Sequence, residues 1–189
     1  MKALKSSLWL LAWSLIPGAL LAANVDWRFP VGVSYTNGIY DVKDAIEKNT
    51  SVSVYPVIPV GLSFHPYVEL TDIGLGVGAS FGPAKLLVGD LTSYILPVGA
   101  DLRYTLFRKS DVSPYVRGGF RYSLAGGDFL SNADPGFFVA GGIELFRAEG
   151  GVCLGIEIGY DASEIEVDIG SRSRAVKPGA LTISLFAVI

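Results

Sequence analysis

The chain alternates. From residue 25 onward, apolar side chains return at every second position through eight separate stretches. A period of two puts successive side chains on opposite faces of an extended strand. The first stretch sets Val25, Trp27, Phe29, Val31, Val33 and Tyr35 against Asp26, Arg28, Gly32, Ser34 and Thr36. The second is read with Val52, Val54, Pro56, Ile58, Val60, Leu62 and Phe64 on the apolar face, and with Ser53, Tyr55, Gly61, Ser63 and His65 opposite. Six more follow, the last placing Leu181, Ile183, Leu185 and Ala187 against Thr182, Ser184, Phe186 and Val188. One such stretch is weak evidence for a strand. Eight in succession predict an all-β chain, and eight antiparallel strands are enough to close a small barrel.

A period of two does not say which face points inward. The face opposite the apolar one decides, because it is crowded with glycine: Gly32, Gly61, Gly74, Gly76, Gly78, Gly99, Gly119, Gly142, Gly155 and Gly159. A strand face in water favours Thr, Lys or Glu, and glycine is depleted in strands. Small residues suit a place where side chains converge inside a narrow lumen. The apolar face is then expected to point outward, into hydrocarbon. The composition agrees: 50% of residues are hydrophobic and only 17% charged, against about 25% charged in an ordinary soluble domain. The alternative is a soluble barrel or sandwich with the apolar face inside.

The first 23 residues read differently. Lys2 and Lys5 precede an apolar run over residues 8–21, broken by Pro17-Gly18 and followed by Ala22 and Ala23. This is the layout of a secretory signal peptide. The run is shorter than the ~20 residues that a spanning helix needs. Cleavage is expected after Ala22 or Ala23, which leaves residues 24–189 as one barrel domain with no further domain after the eighth strand. Removing the two lysines takes the net charge from -3 to -3 - 2 = -5.

The connections also alternate. Short turns are expected near His65-Pro66, residues 108–111 and residues 147–150, and long polar loops over residues 37–50, 83–91, 125–135 and 161–176. Short turns on one rim and long loops on the other mark an outer-membrane barrel. Here the chain resembles the small outer-membrane β-barrel family, OmpA-like or OmpX-like. The resemblance covers residues 24–189 and rests on architecture. It implies an eight-stranded antiparallel up-and-down transmembrane β-barrel in the cell outer membrane. Its implied partners are outer-membrane lipid, lipopolysaccharide and the barrel-assembly machinery. Family members usually end in an aromatic residue that this machinery reads. Here the last residue is Ile189, and Phe186 falls on the lumen face.

Six charged residues fall on the inward face of these strands: Asp101, Arg103, Arg117, Arg121, Glu144 and Glu157. Three are positive and three negative. A turn centred near Lys109-Ser110-Asp111 puts Arg103 opposite Arg117, with Asp101 diagonally between Arg117 and Arg121. If the next loop is symmetric about its middle, Arg117 faces Glu144. Cross-strand neighbours on one face lie about 5 Å apart, and an unpaired buried charge costs several kcal/mol. A salt-bridged plug is therefore expected in the half of the barrel nearest the short turns.

Other motifs carry less. The glycines of Gly74-Leu75-Gly76-Val77-Gly78 lie inside an alternating strand, not in the strand-to-helix turn that a phosphate loop needs. Ser63, His65 and Glu69 have the residue types of a hydrolytic triad, but His65 is placed at the short-turn rim, far from an outer-leaflet substrate. Residues 41–48 put Val42, Ala45 and Ile46 at helical spacing, read as a short helical turn adorning the first loop. Asp161, Glu164, Glu166 and Asp168 make the last loop acidic without EF-hand spacing. One histidine and one cysteine leave no zinc cluster and no intrachain disulfide. Neither a cofactor nor enzymatic activity is expected. The sequence favours a structural or surface-interaction protein, with a narrow channel for small or apolar solutes as the alternative and a lipid A-modifying enzyme third. If the barrel forms, detergent-extracted protein will run at different gel mobilities before and after boiling; identical mobility contradicts it.

Overall fold

The computed structural model describes residues 24–89, 92–149, 151–169 and 172–189. The expected signal peptide, residues 1–23, lies outside the described residues. The strands are β1 (Val25–Arg28), β2 (Pro30–Thr36), β3 (Val54–Val57), β4 (Val60–Phe64), β5 (Tyr67–Leu70), β6 (Leu75–Phe81), β7 (Lys85–Gly89) and β8 (Ser93–Thr105). They continue as β9 (Val112–Gly127), β10 (Leu130–Asp134), β11 (Gly136–Leu145), β12 (Cys153–Asp161), β13 (Glu164–Ile169), β14 (Arg172–Val176) and β15 (Ala180–Val188). Among the described residues one α-helix, α1, spans Gly38–Glu47.

Eight of these strands close a ring of antiparallel pairs, in the order β2, β4, β6, β8, β9, β11, β12, β15 and back to β2. β1 and β5 prolong two of these walls towards the short turns, in the same register as the β2–β4 pair. The fold is a closed eight-stranded antiparallel barrel. Along the ring the large apolar side chains point outward: Leu62 is 72% exposed, Val77 60%, Phe120 75% and Phe137 62%. The polar and small ones point inward, among them Ser34, Ser63, Asp101, Arg117 and Glu157. Such a belt is unsatisfied in water and matched by hydrocarbon.

Glycine on the inward face has a specific use. Each inward aromatic ring stands directly across the ladder from a glycine: Tyr67 from Gly78, Tyr115 from Gly142, Phe138 from Gly119 and Phe186 from Gly155. A Cβ on Gly155 would lie 2.2 Å from the Phe186 ring, and one on Gly142 would lie 2.6 Å from the Tyr115 hydroxyl. The missing side chain is the seat on which the ring lies. Phe186 is therefore inward and buried, edge-on to Tyr115 at 6.4 Å.

Three expectations need correction. The first short turn is not at His65-Pro66. The wall runs on through β5 and turns at residues 71–74, with Gly74 in the left-handed region at φ 75°. Pro66 fits because its carbonyl still accepts from Ala79 N at 2.9 Å, and a proline lacks only the donor. Second, the long loops are largely ordered as strands: β7, β10, β13 and β14 all lie in them, and β9 runs on to Gly127. In β13 the polarity is reversed, with Ile165 and Val167 buried while Glu166 faces out. Third, the same reversal reaches β3, where Val54 is buried and Tyr55 is 78% exposed, opposite to the faces expected.

α1 starts at Gly38, earlier than the expected helical turn, and it is more than an adornment. Ile39, Val42, Ala45 and Ile46 recur at helical spacing and are buried. A ten-residue helix is marginal alone, so packing holds it. Its apolar face meets Val54, Leu87, Ile95, Leu130, Ile165, Val167 and Val176 in one cluster at the long-loop end. Asn37 Oδ1 accepts from Leu181 N at 3.0 Å, and Thr50 Oγ1 donates to the Ile46 carbonyl at 2.8 Å. Replacing Gly155 with Val should destabilise the barrel by about 1–3 kcal/mol through overpacking, read as a lowered urea midpoint in detergent. Adding Phe186→Ala should recover part of that loss; no recovery would show that the ring is not the obstacle.

Candidate functional site in the charged lumen

The lumen is filled by a ladder of ion pairs that begins at the short-turn end. Arg147, in the single 3-10 turn Arg147–Glu149, donates through Nη2 to Glu69 Oε1 at 2.5 Å and through Nη1 to Glu144 Oε2. Glu69 also accepts from Thr105 Oγ1 at 2.8 Å. Glu144 accepts from Arg103 Nη2 at 2.6 Å and from the Tyr67 hydroxyl at 3.1 Å. The Arg103 guanidinium lies 3.5 Å from the Tyr115 ring centre and 4.5 Å from that of Tyr67, clamped by cation–π contact.

The next layer centres on Arg117. Its Nε and Nη2 donate to both oxygens of Glu157 at 2.6 and 2.7 Å, a bidentate fork. Its Nη1 donates to Asp101 Oδ2 at 2.5 Å, and Nη2 lies 3.2 Å from His65 Nδ1. The Tyr115 hydroxyl donates to Glu157 at 2.8 Å. Above, Arg121 donates to Asp161 Oδ2 at 3.0 Å and stacks 4.1 Å from the Phe138 ring centre. Lys85 ends the ladder, donating to the Pro178 carbonyl. Beyond it lies the apolar cluster under α1.

The buried charges balance. Lys85, Arg103, Arg117, Arg121 and Arg147 face Glu69, Asp101, Glu144, Glu157 and Asp161, five against five among the described residues. Two cavities of about 10 Å³ flank the His65–Arg117–Glu157 layer. Each has room for roughly one water.

The structure places all six sequence-derived lumen residues, Asp101, Arg103, Arg117, Arg121, Glu144 and Glu157, inside the barrel and buried. Arg103 lies opposite Arg117, as the turn predicts. Arg117 faces Ala140, not Glu144. The loop does not bend at its middle: β9 extends to Gly127, so the ladder turns near residues 128–129 and Glu144 reaches Arg103 instead. Sequence reasoning missed Glu69, Asp161, Arg147 and Lys85. Glu69 was hidden by the turn assigned at Pro66. Asp161 and Lys85 lie in stretches whose sequence reads as loop but which form the end of β12 and the start of β7. His65 is not at the rim, since β5 lies between it and the turn. The triad of Ser63, His65 and Glu69 is not assembled. Ser63 accepts from Ser34, His65 sits against Arg117, and Glu69 binds Thr105 and Arg147.

No protein-family model matches the chain, and no curated protein matches it in sequence. Among solved structures it is similar to the outer membrane protein OprG from Pseudomonas aeruginosa, with a TM-score of 0.57 and 9% identity over 88% of this chain and 95% of that one. The fold is that of the small outer-membrane β-barrels. Lower similarity is found to Neisserial surface protein A, at TM-score 0.46 and 14% identity over 87% of this chain and 96% of that one. Outer membrane protein AlkL, solved in DMPC lipid bilayers, gives 0.45 and 17% over 87% of each chain.

Removing one partner of a buried pair leaves the other charge uncompensated. Glu157→Gln should cost about 3–5 kcal/mol, measured as a lowered unfolding midpoint, whereas Lys48→Gln, exposed at the C-terminal end of α1, should cost under about 1 kcal/mol. Equal midpoints in the two variants would show that the ladder does not hold the barrel.

Proposed function

We propose that this chain is an integral outer-membrane protein, exported by a cleaved signal peptide, with a structural or surface-interaction role. The barrel serves as a rigid anchor. What it presents to a partner is the long-loop end, built from α1, β3, β7, β10, β13 and β14. The observation that carries this reading is that the lumen is filled at two levels. The ion-pair ladder runs from the short turns up to Arg121 and Asp161, and α1 with its apolar cluster occupies the long-loop end. The two cavities within the ladder each have room for about one water, too little for a diffusing solute. Outer-membrane lipid, lipopolysaccharide and the barrel-assembly machinery are the partners implied by this location. No catalytic role is assigned to any residue.

One feature favours a second reading, a narrow path for small or apolar solutes. At the long-loop end β3 and β14 do not pair with each other, and α1 packs against both. A path would require that helix to leave. The expected outcome in planar bilayers is no steady conductance from the full chain; a sustained open state sinks the anchor reading and favours the second. Activity on lipid A that disappears in His65→Ala would instead revive an enzyme.

A further inference from the structure

Two short turns carry the same triplet, Leu106-Phe107-Arg108 and Leu145-Phe146-Arg147. In each the phenylalanine sits in the left-handed region, at φ 48° and 64°, and its ring is exposed. That conformation is strained for a bulky side chain. The two arginines then part. Arg147 turns into the lumen and is consumed by Glu69 and Glu144. Arg108 stays outside. Its Nη2 donates to the Asp72 carbonyl at 2.7 Å and its Nη1 to the Leu70 carbonyl at 3.4 Å. Gly74 makes room for it, since a Cβ there would lie 3.0 Å from Arg108 Cδ. Backbone carbonyls orient the guanidinium without neutralising it. Among the described residues neither Arg108 nor Lys109 forms an ion pair.

These side chains border an open cleft of about 710 Å³ on the outside of the barrel. Its wall towards the apolar belt is Ile73, Tyr104, Leu106 and Phe107, all exposed; its end at the turn is Arg108, Lys109 and Ser110. The one carboxylate along it, Asp72, offers Arg108 its carbonyl. An apolar wall in line with the belt and an unspent cationic end at the headgroup level match one amphiphile in shape and sign. We infer that this cleft is a binding site for an anionic phospholipid of the leaflet that meets the short turns. The phosphate sits against Arg108, Lys109 and Ser110, and the acyl chain lies along Leu106 and Tyr104. An oriented guanidinium suits a phosphate, and the exposed Phe107 ring belongs at the membrane–water interface.

This inference rests on the membrane reading, and the test separates the two. The full folded chain is reconstituted in vesicles of phosphatidylcholine with or without phosphatidylglycerol, then released for native mass spectrometry. Phosphatidylglycerol should be retained over phosphatidylcholine, with the preference falling about fivefold in Lys109→Gln and further when Arg108→Gln is added. Lys43→Gln with Lys48→Gln, on α1 and at its C-terminal cap at the other end of the barrel, should leave it unchanged. Lys109 is exposed and unpaired, so its variant should fold even if loss of Arg108 loosens the turn. Equal retention of both lipids by the parent overturns the site. So does an undiminished preference in the variants, or displacement of the lipid by inorganic phosphate alone. Failure to insert into either vesicle removes the membrane reading and the site with it, whereas insertion without preference removes only the site.

Discussion

Charge neutrality inside a closed wall governs this molecule. An eight-stranded barrel leaves an interior just wide enough for side chains to fill. Once its apolar residues are turned outward, that interior must be built from polar ones. A carboxylate or guanidinium taken from water into such a space is costly unless it is paired and hydrogen-bonded. Here the buried charges balance in number, Lys85 being met by the Pro178 carbonyl, and the two facing arginines each have their own carboxylates, Glu144 for Arg103 and Glu157 with Asp101 for Arg117. Arginine is suited to this because its planar fork satisfies two carboxylates at once and stacks on aromatic faces.

The glycines and the aromatics follow from that ladder. Three of the inward rings, Tyr67, Tyr115 and Phe138, clamp guanidiniums, the two tyrosines also carry hydroxyls to the glutamates, and Phe186 packs edge-on against Tyr115; each ring needs a bare backbone across from it. A strand face rich in glycine is weak on its own. Paired with an inward ring, each glycine becomes half of a contact. The same logic explains why Phe186 is inward: it lies between Gly155 and Gly32 on the two adjoining strands.

The polarity of the wall changes along its length, and the change marks the solvent. In the ring of eight strands the apolar residues face out and the polar ones in. Above it, in β13 and β3, Ile165, Val167 and Val54 face in while Glu166 and Tyr55 face out. The long-loop end is thus built like a water-soluble protein, with α1 supplying its core. A reader who carries one rule along the whole chain places the belt strands correctly and reverses the extension. That is why residues 161–176 read as a loop: in β13 the apolar residues face in and the polar ones out, against the pattern of the belt.

The alternation alone determined that the chain is all-β, that it has eight walls and, through its glycines, that the apolar face points outward. It also determined six inward charges and the Arg103–Arg117 register, because a tight turn at residues 108–111 leaves little freedom in pairing. What only the tertiary structure decided depends on contacts distant in sequence. Glu69 and Arg147 meet across 78 residues, and Lys85 ends under Pro178 after 93. No local period reports such pairs. α1 likewise has a readable apolar stripe, but only the closed wall shows that the stripe fills the barrel's mouth. Local spacing fixes which face a side chain takes, whereas closure of the ring fixes which side chains share that face at the same height.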